Sequence, residues 1–377
     1  MRHVIYVTGT RADFGLMEST LKQIEADPDL TVSLCVTGMH LSARYGETVK
    51  EIEQSGLRIC GRIPVRLEET TGAAMARAIG NELTGMVDLF QKEQPDAVLV
   101  LGDRGEQLAG ALAAIHLNIP VVHIHGGERS GTVDEPVRHA ISKLAHYHLV
   151  ATEASRERLI RMGEREDHIF VTGAPGLDGL RELAGRSREE LCDQYGLDSK
   201  KAIALVLYHP VLQEAGQAAR QTHQLMKALQ EVPGLQMLVL MPNADAGGSF
   251  VREALEEYRD QTGVRQIVHL PRGDFISWLA CADVMVGNSS SGIIEAATFG
   301  LPVVNVGSRQ SGRERNANVM DVPEESGAIR DAVAQALKRG PLACDNVYGA
   351  GGAGAHTVDR LKHLNLSSDL LIKSNTY

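Results

Sequence analysis

The sequence predicts an α/β protein of two Rossmann-like domains whose parallel sheets face a central cleft. Two observations carry that reading. The chain has 377 residues, enough for two domains at roughly 100–200 residues each. Short β-branched apolar runs alternate with longer amphipathic segments, and the alternation starts afresh near Lys201. Runs that are apolar throughout suit parallel strands buried on both faces, and the alternation is that of βαβ units.

In chain order, the first half offers strands at residues 4–7, 32–36, 97–101, 121–124 and 148–151, with helical patterns at 16–24 and 80–90. Ser187-Arg188-Glu189-Glu190 then has the S-x-x-E form of a capping box. The junction falls around residues 185–200, dividing the chain into domains of residues 1–190 and 191–377. The second half offers strands at 202–207, 237–240, 267–270, 284–286 and 303–306, with a helical stretch at 217–229. A Gly/Ala-rich loop at 349–355 precedes a final helix at 357–364, which is free to pack back on the first domain. Open α/β sheets bind ligands outside the carboxyl ends of their strands, so the cleft is where site residues are sought.

Composition narrows the function. The net charge of −10 argues against a nucleic-acid footprint, which needs clustered Lys and Arg, but leaves room for one phosphorylated small ligand. Five scattered cysteines without a C-x-x-C pair read as reduced thiols rather than a disulfide frame or zinc cluster. No apolar run has membrane length and no signal peptide is evident, so the expected address is the cytoplasm.

The motifs sit at strand ends. Thr8-Gly9-Thr10-Arg11-Ala12-Asp13 leads from the first strand into a helix. It is either an ordinary βα turn or a phosphate contact, with Arg11 as a forked cation. The G-x-G-x-x-G fingerprint of dinucleotide sites is missing. Leu101-Gly102-Asp103-Arg104 puts a carboxylate beside a guanidinium. The pair is a surface ion pair or an acid–base group that Arg104 keeps ionised. His123-Ile124-His125-Gly126-Gly127-Glu128 follows, then Ser130-Gly131-Thr132-Val133-Asp134. Alternation expects His123 and His125 on one side of their strand. No metal-ligand spacing accompanies them, so acid–base chemistry is preferred over a metal site. Arg138 and His139 lie on the next helix.

In the second half, His209 and Asn243 stand at strand ends, followed by Gly287-Asn288-Ser289-Ser290-Ser291-Gly292-Ile293-Ile294-Glu295. That loop is a helix cap or a diphosphate cradle, and Glu295 can accept ribose hydroxyls. Arg309 and Arg313 follow the last strand.

Taken in order, Gly9-Thr10-Arg11-Ala12-Asp13, Gly102-Asp103-Arg104, Gly126-Gly127-Glu128, Ser130-Gly131-Thr132-Val133-Asp134, Arg138-His139, His209-Pro210, Gly287-Asn288-Ser289-Ser290 and Gly307-Ser308-Arg309-Gln310 resemble the hydrolysing UDP-N-acetylglucosamine 2-epimerases of sialic acid synthesis. The resemblance implies a GT-B architecture with UDP held mainly by the second domain. It implies elimination of UDP across C1–C2 to a 2-acetamidoglucal, then hydration with inversion at C2, with no cofactor. Asp103, His125, Glu128, Asp134 and His209 are the implied catalytic candidates. Arg11, Arg104, Arg138, His139, Asn243, Ser289, Ser290, Glu295, Arg309 and Arg313 are the implied substrate and UDP contacts. A UDP sugar is the expected partner, with neither nucleic acid nor membrane, and the expected assembly is a homo-dimer or homo-tetramer.

Two positions depart from the family pattern. His125 stands where the strand-end motif carries Glu, and Ile294 where some relatives carry Arg. N-acetylmannosamine and UDP are the expected products. The His at 125 also resembles relatives acting on UDP-2,4-diacetamido-2,4,6-trideoxyhexoses, which is the first alternative. A non-hydrolysing epimerase, a GT-B glycosyltransferase and a non-catalytic sensor are the others.

Overall fold

The computed structural model describes residues 1–376. Seven strands form the first sheet: β1 (Arg2–Thr8), β2 (Leu30–Thr37), β3 (Arg58–Ile63), β4 (Ala97–Leu101), β5 (Val121–Ile124), β6 (Tyr147–Val150) and β7 (Ile169–Val171). Six form the second: β8 (Ile203–Leu207), β9 (Gln236–Leu240), β10 (Val264–Ile267), β11 (Val284–Gly287), β12 (Val303–Val306) and β13 (Val319–Val322). All pairings are parallel, in the orders β3-β2-β1-β4-β5-β6-β7 and β10-β9-β8-β11-β12-β13.

Each order reverses once, between β1 and β4 in the first sheet and between β8 and β11 in the second. At such a switch point the loops leave in opposite directions and open a crevice at the carboxyl ends of the strands. The crevices are therefore bounded by residues after Thr8 and Leu101 on one side, and after Leu207 and Gly287 on the other. Those are the positions of the four strand-end motifs.

The central strands are buried, apart from Arg2 and His3 at the start of β1, and are legible as apolar runs. The strands β3 and β13 carry no such run, β7 has only the three residues Ile169–Val171, and the expected strand at 267–270 lies instead at Val264–Ile267. All four are sheet edges, partly open to solvent, where no continuous apolar face is required.

Helix starts follow local chemistry. Thr10 and Asp13 form a capping box at Arg11–Ala26, and Ser187 and Glu190 form another at Arg188–Tyr195. Leu191 and Cys192 of the latter helix pack with Leu205 and Trp278 in the second sheet's core. The final helix, Ala353–His363, returns to the first sheet, where Leu361 and Leu364 pack with Val4, Tyr6 and Phe14. Among the described residues no helix is long and apolar enough to cross a membrane.

Gly287 ends β11 at φ 138°, and a Cβ there would lie 1.9 Å from the Leu207 carbonyl oxygen. A side chain at this position must push two adjacent strands apart. Gly287→Ala is expected to lose about 1–3 kcal/mol, the usual cost of one strained backbone position, seen as a lowered thermal midpoint; an unchanged midpoint would remove the argument for this glycine.

Candidate active site

One cavity lies between the two sheets. From the first half it is lined by Arg11, Asp103, Arg104, His125, Glu128, Asp134 and Arg138, and from the second by His209, Asn243, Ser289, Ser290, Glu295, Arg309 and Arg313. Fourteen of the fifteen positions singled out in the sequence thus share one wall-to-wall space. His139 is the exception. It follows Arg138 on the helix Asp134–Leu144, so it points about 100° away, and its ring lies 3.7 Å from Glu135 instead.

The carboxylate Asp103 is paired, though not with its neighbour. Arg138, fully buried, reaches it from the helix Asp134–Leu144, while Arg104 turns to Glu106 at 2.7 Å and to Asp245 of the second half at 3.4 Å. The sequence-based pairing of Asp103 with Arg104 is therefore corrected. Adjacent residues in the Gly102 turn diverge, and only a residue from another element can approach the carboxylate head-on.

The two strand histidines do not share a side. Strand β5 stops at Ile124, and His125 takes φ 60°, a left-handed conformation unusual for a residue with a side chain. His123 faces inward instead, with Nε2 donating to the Gly102 carbonyl at 2.8 Å and Nδ1 lying 3.1 Å from Ser142 Oγ. Burial pulls its ring pKa well down, so it stays neutral. The turn at His125 is braced from both ends. Its N–H donates to Leu149 O at 3.1 Å, and its carbonyl accepts from Arg138 Nη1 at 2.8 Å. Backbone strain held by such bracing is the kind that marks functional sites.

His125 Nδ1 bonds Glu128, whose other oxygen is held by Arg313 across the cleft. Burial alone would raise the Glu128 carboxyl, but Arg313, His125 and Arg138 together hold it below the usual carboxylate range. An ionised Glu128 can only accept, so His125 Nδ1 carries the proton and Nε2 is left as the basic nitrogen. No protein hydrogen bond engages Nε2 among the described residues. This is a carboxylate–imidazole dyad of the kind that serves as an oriented base.

Asp134 begins its helix near Asp103. Burial first, and the Asp103 charge second, raise its carboxyl pKa, against the pull of Arg309, whose Nη2 lies 3.8 Å away. Within one cleft the Glu128 carboxyl is thus held low while the Asp134 carboxyl is pushed up. His209 is driven down to about 3 by burial, then by Arg309, so its ring is neutral, and its buried Nδ1 has no hydrogen-bond partner among the described residues.

On the opposite wall Ser289 caps the short helix Ser290–Ile294, its Oγ 2.8 Å from Ser291 Oγ, and Ser290 lines the cavity. Asn243 donates to Asp245 at 2.6 Å, and Arg309 donates to the Asn288 carbonyl at 3.0 Å. Glu295 is buried with Arg272 Nη2 2.5 Å from its Oε1. Arg272 was missed in the sequence. It enters from the helix Arg272–Cys281 and brings a guanidinium beside Glu295, where Ile294 supplies none. Arg11 meets His269 at 2.9 Å, and His269 in turn holds Glu51, neither of which the motifs announced. Among the described residues no three His, Cys, Asp or Glu side chains converge as metal ligands.

These features define a GT-B-like α/β protein, with the Glu128–His125 pair and Asp103 on the first half and the serine-rich loop before Glu295 on the second. A profile described as UDP-N-acetylglucosamine 2-epimerase matches residues 22–362, and the chain belongs to that family. A Legionella pneumophila protein named UDP-N,N'-diacetylbacillosamine 2-epimerase (hydrolyzing) is 53% identical over 377 residues, covering 100% of both chains. A Neisseria meningitidis UDP-N-acetylglucosamine 2-epimerase is 37% identical over 357 residues, covering 95% of this chain and 93% of that one. The fold is shared with a crystal structure of UDP-GlcNAc 2-epimerase from Neisseria meningitidis bound to UDP-GlcNAc (TM-score 0.80, 19% identity, 95% and 99% coverage).

Glu128→Gln leaves Arg313 buried without its counter-charge, and removal of one partner from a buried pair costs about 3–5 kcal/mol. The carboxyl sits below its unfolded pKa, so the pair contributes fully above the unfolded value of about 4.3 and is lost as pH falls through the lower folded value. The variant should melt well below the parent at pH 7, and the gap should close in strong acid. Equal midpoints at pH 7 would contradict the pairing.

Proposed function

We propose that this protein is a hydrolysing 2-epimerase of a UDP-2,4-diacetamido-2,4,6-trideoxyhexose, releasing UDP and the free 2-epimeric sugar. The observation that carries the chemistry is the Glu128–His125 dyad facing the same cavity as Asp103 and Asp134. His125 Nε2 takes the C2 proton. The C2–H electrons form the C1=C2 bond as the C1–O bond breaks, and UDP departs toward the cationic wall of Arg11, Arg272 and Arg309. Water then adds to the glycal, hydroxyl to C1 and a proton to C2 from the other face. Asp134, whose environment favours its protonated form, delivers that proton, and Asp103, fixed by Arg138, orients the water. Electrostatic complementarity to the departing diphosphate in a closed site is expected to supply much of the acceleration.

The sugar is chosen on the 53% identity that extends over the whole of both chains, and on His125, the departure that first suggested it. UDP-N-acetylglucosamine, which the motif resemblance ranks first, becomes the second reading, supported by the 37% relative. The two separate in one assay. The diacetamido substrate should exceed UDP-N-acetylglucosamine in kcat/KM by at least about 10-fold, the lower end of what a few pocket contacts discriminate; parity or a preference for UDP-N-acetylglucosamine reverses the choice.

Two variants test the residues. His125→Ala should lose about 10²–10⁴-fold in kcat, the range for one acid–base group, with UDP affinity unchanged; a nearly wild-type rate would move the base elsewhere. Glu295→Ala should weaken UDP by about 1–3 kcal/mol, as when a buried hydrogen-bonding partner is lost. Calorimetry showing no change would reject Glu295 as the ribose contact.

A further inference from the structure

The helix Asp134–Leu144 carries Asp134 at its start and Arg138 one turn in. A helix leaves its last carbonyls without intrahelical partners, and the negative end of its dipole favours a cation there. Here that cation comes from far along the chain. Lys373 Nζ donates toward the carbonyls of Ser142 (3.1 Å), Lys143 (2.9 Å) and Ala145 (2.5 Å), and pairs with Glu164 at 2.6 Å. Glu164 is itself held by Lys143 at 2.7 Å and His148 at 3.0 Å, and the Thr376 N–H anchors the same stretch on the Gly163 carbonyl at 3.0 Å.

The helix end so gripped is also the one tied to the catalytic turn. Ser142 lies one turn beyond Arg138, and its hydroxyl faces His123, whose Nε2 holds the carbonyl of Gly102, the residue before Asp103. One end of the lever is thus fixed by Lys373, while its middle places Arg138 on Asp103 and on the His125 carbonyl.

We infer that Lys373 is a positioning residue for the Asp103–Arg138 pair, acting through the carboxyl end of the helix Asp134–Leu144. The inference rests on the proposed role of that pair in catalysis, not on which sugar is turned over. A segment that merely covers the surface would not concentrate an ammonium on three carbonyls of one helix end.

The test uses the full chain with Lys373→Met, which keeps the stem and removes the donors, and Lys373→Arg, which keeps them. Lys373→Met should lower kcat about 10-fold, a modest share of what misplacement of a remote support can cost. UDP affinity by calorimetry should be unchanged, and amides of residues 138–144 should exchange faster. Lys373→Arg should recover most of the rate. If Lys373→Met does not fold, Glu164→Gln, which loosens the lysine without removing it, carries the same readouts. Unchanged exchange and kcat, or parallel loss of kcat and UDP affinity, would overturn the inference. Absence of wild-type turnover would count instead against the proposed function, leaving exchange and UDP affinity to report on Lys373.

Discussion

The pairing of Glu128 with Arg313 joins the two halves at the point where a buried charge can least be left alone. Each residue comes from a different half and each is nearly inaccessible, with Arg138 as a second guanidinium 3.8 Å from Glu128. Charges taken out of water must be matched, so the halves are driven together at this spot. Further pairs lie around it. Arg104 faces Asp245, Arg309 faces Asp134, and Arg11 is linked through His269 to Glu51. At the rim the backbones themselves touch. Gly131 N–H donates to the Arg309 carbonyl at 3.1 Å, and a Cβ on Gly131 would lie 2.0 Å from Ser308 O. A side chain at residue 131 would wedge the cleft open.

Closure and the proposed chemistry are therefore built from the same residues. Glu128 holds Arg313 and also fixes the tautomer of His125. Arg138 holds Asp103 and also braces the His125 carbonyl. A site with its donors and charges already oriented needs little reorganisation when charge develops on a leaving group. The switch points of the two sheets decide where this can happen, because only there do the loops after β1, β4, β8 and β11 open onto a shared space.

Much of this was legible in the chain. Interior strands must be apolar on both faces, so β1, β4, β8 and β11 declare themselves, and the motifs at their ends mark the cavity. The edges were not legible, because β3 in Arg58–Ile63 and β13 in Val319–Val322 are half in water and need no apolar run. Pairings were also hidden. Sequence adjacency suggested Asp103 with Arg104, whereas the partner is Arg138, brought by a helix 35 residues later. Arg272, Glu51 and His269 carry no motif, since their role depends on which loops the two sheets bring face to face. His139 shows the converse. It shares a motif with Arg138 yet points off the cavity, because one step along a helix turns a side chain by about 100°.

The mechanism is tested most directly by the fate of the hydrogen at C2. Turnover of the UDP-diacetamido sugar in D2O, followed by NMR of the free sugar, should give a product inverted at C2 with one deuterium on that carbon. In the proposed mechanism the C2 proton passes to His125, and the one returned comes from Asp134, which exchanges with solvent. A free sugar that keeps its C2 protium and its original configuration would mean that the diphosphate is simply hydrolysed, and would contradict the elimination–hydration chemistry assigned to this cleft.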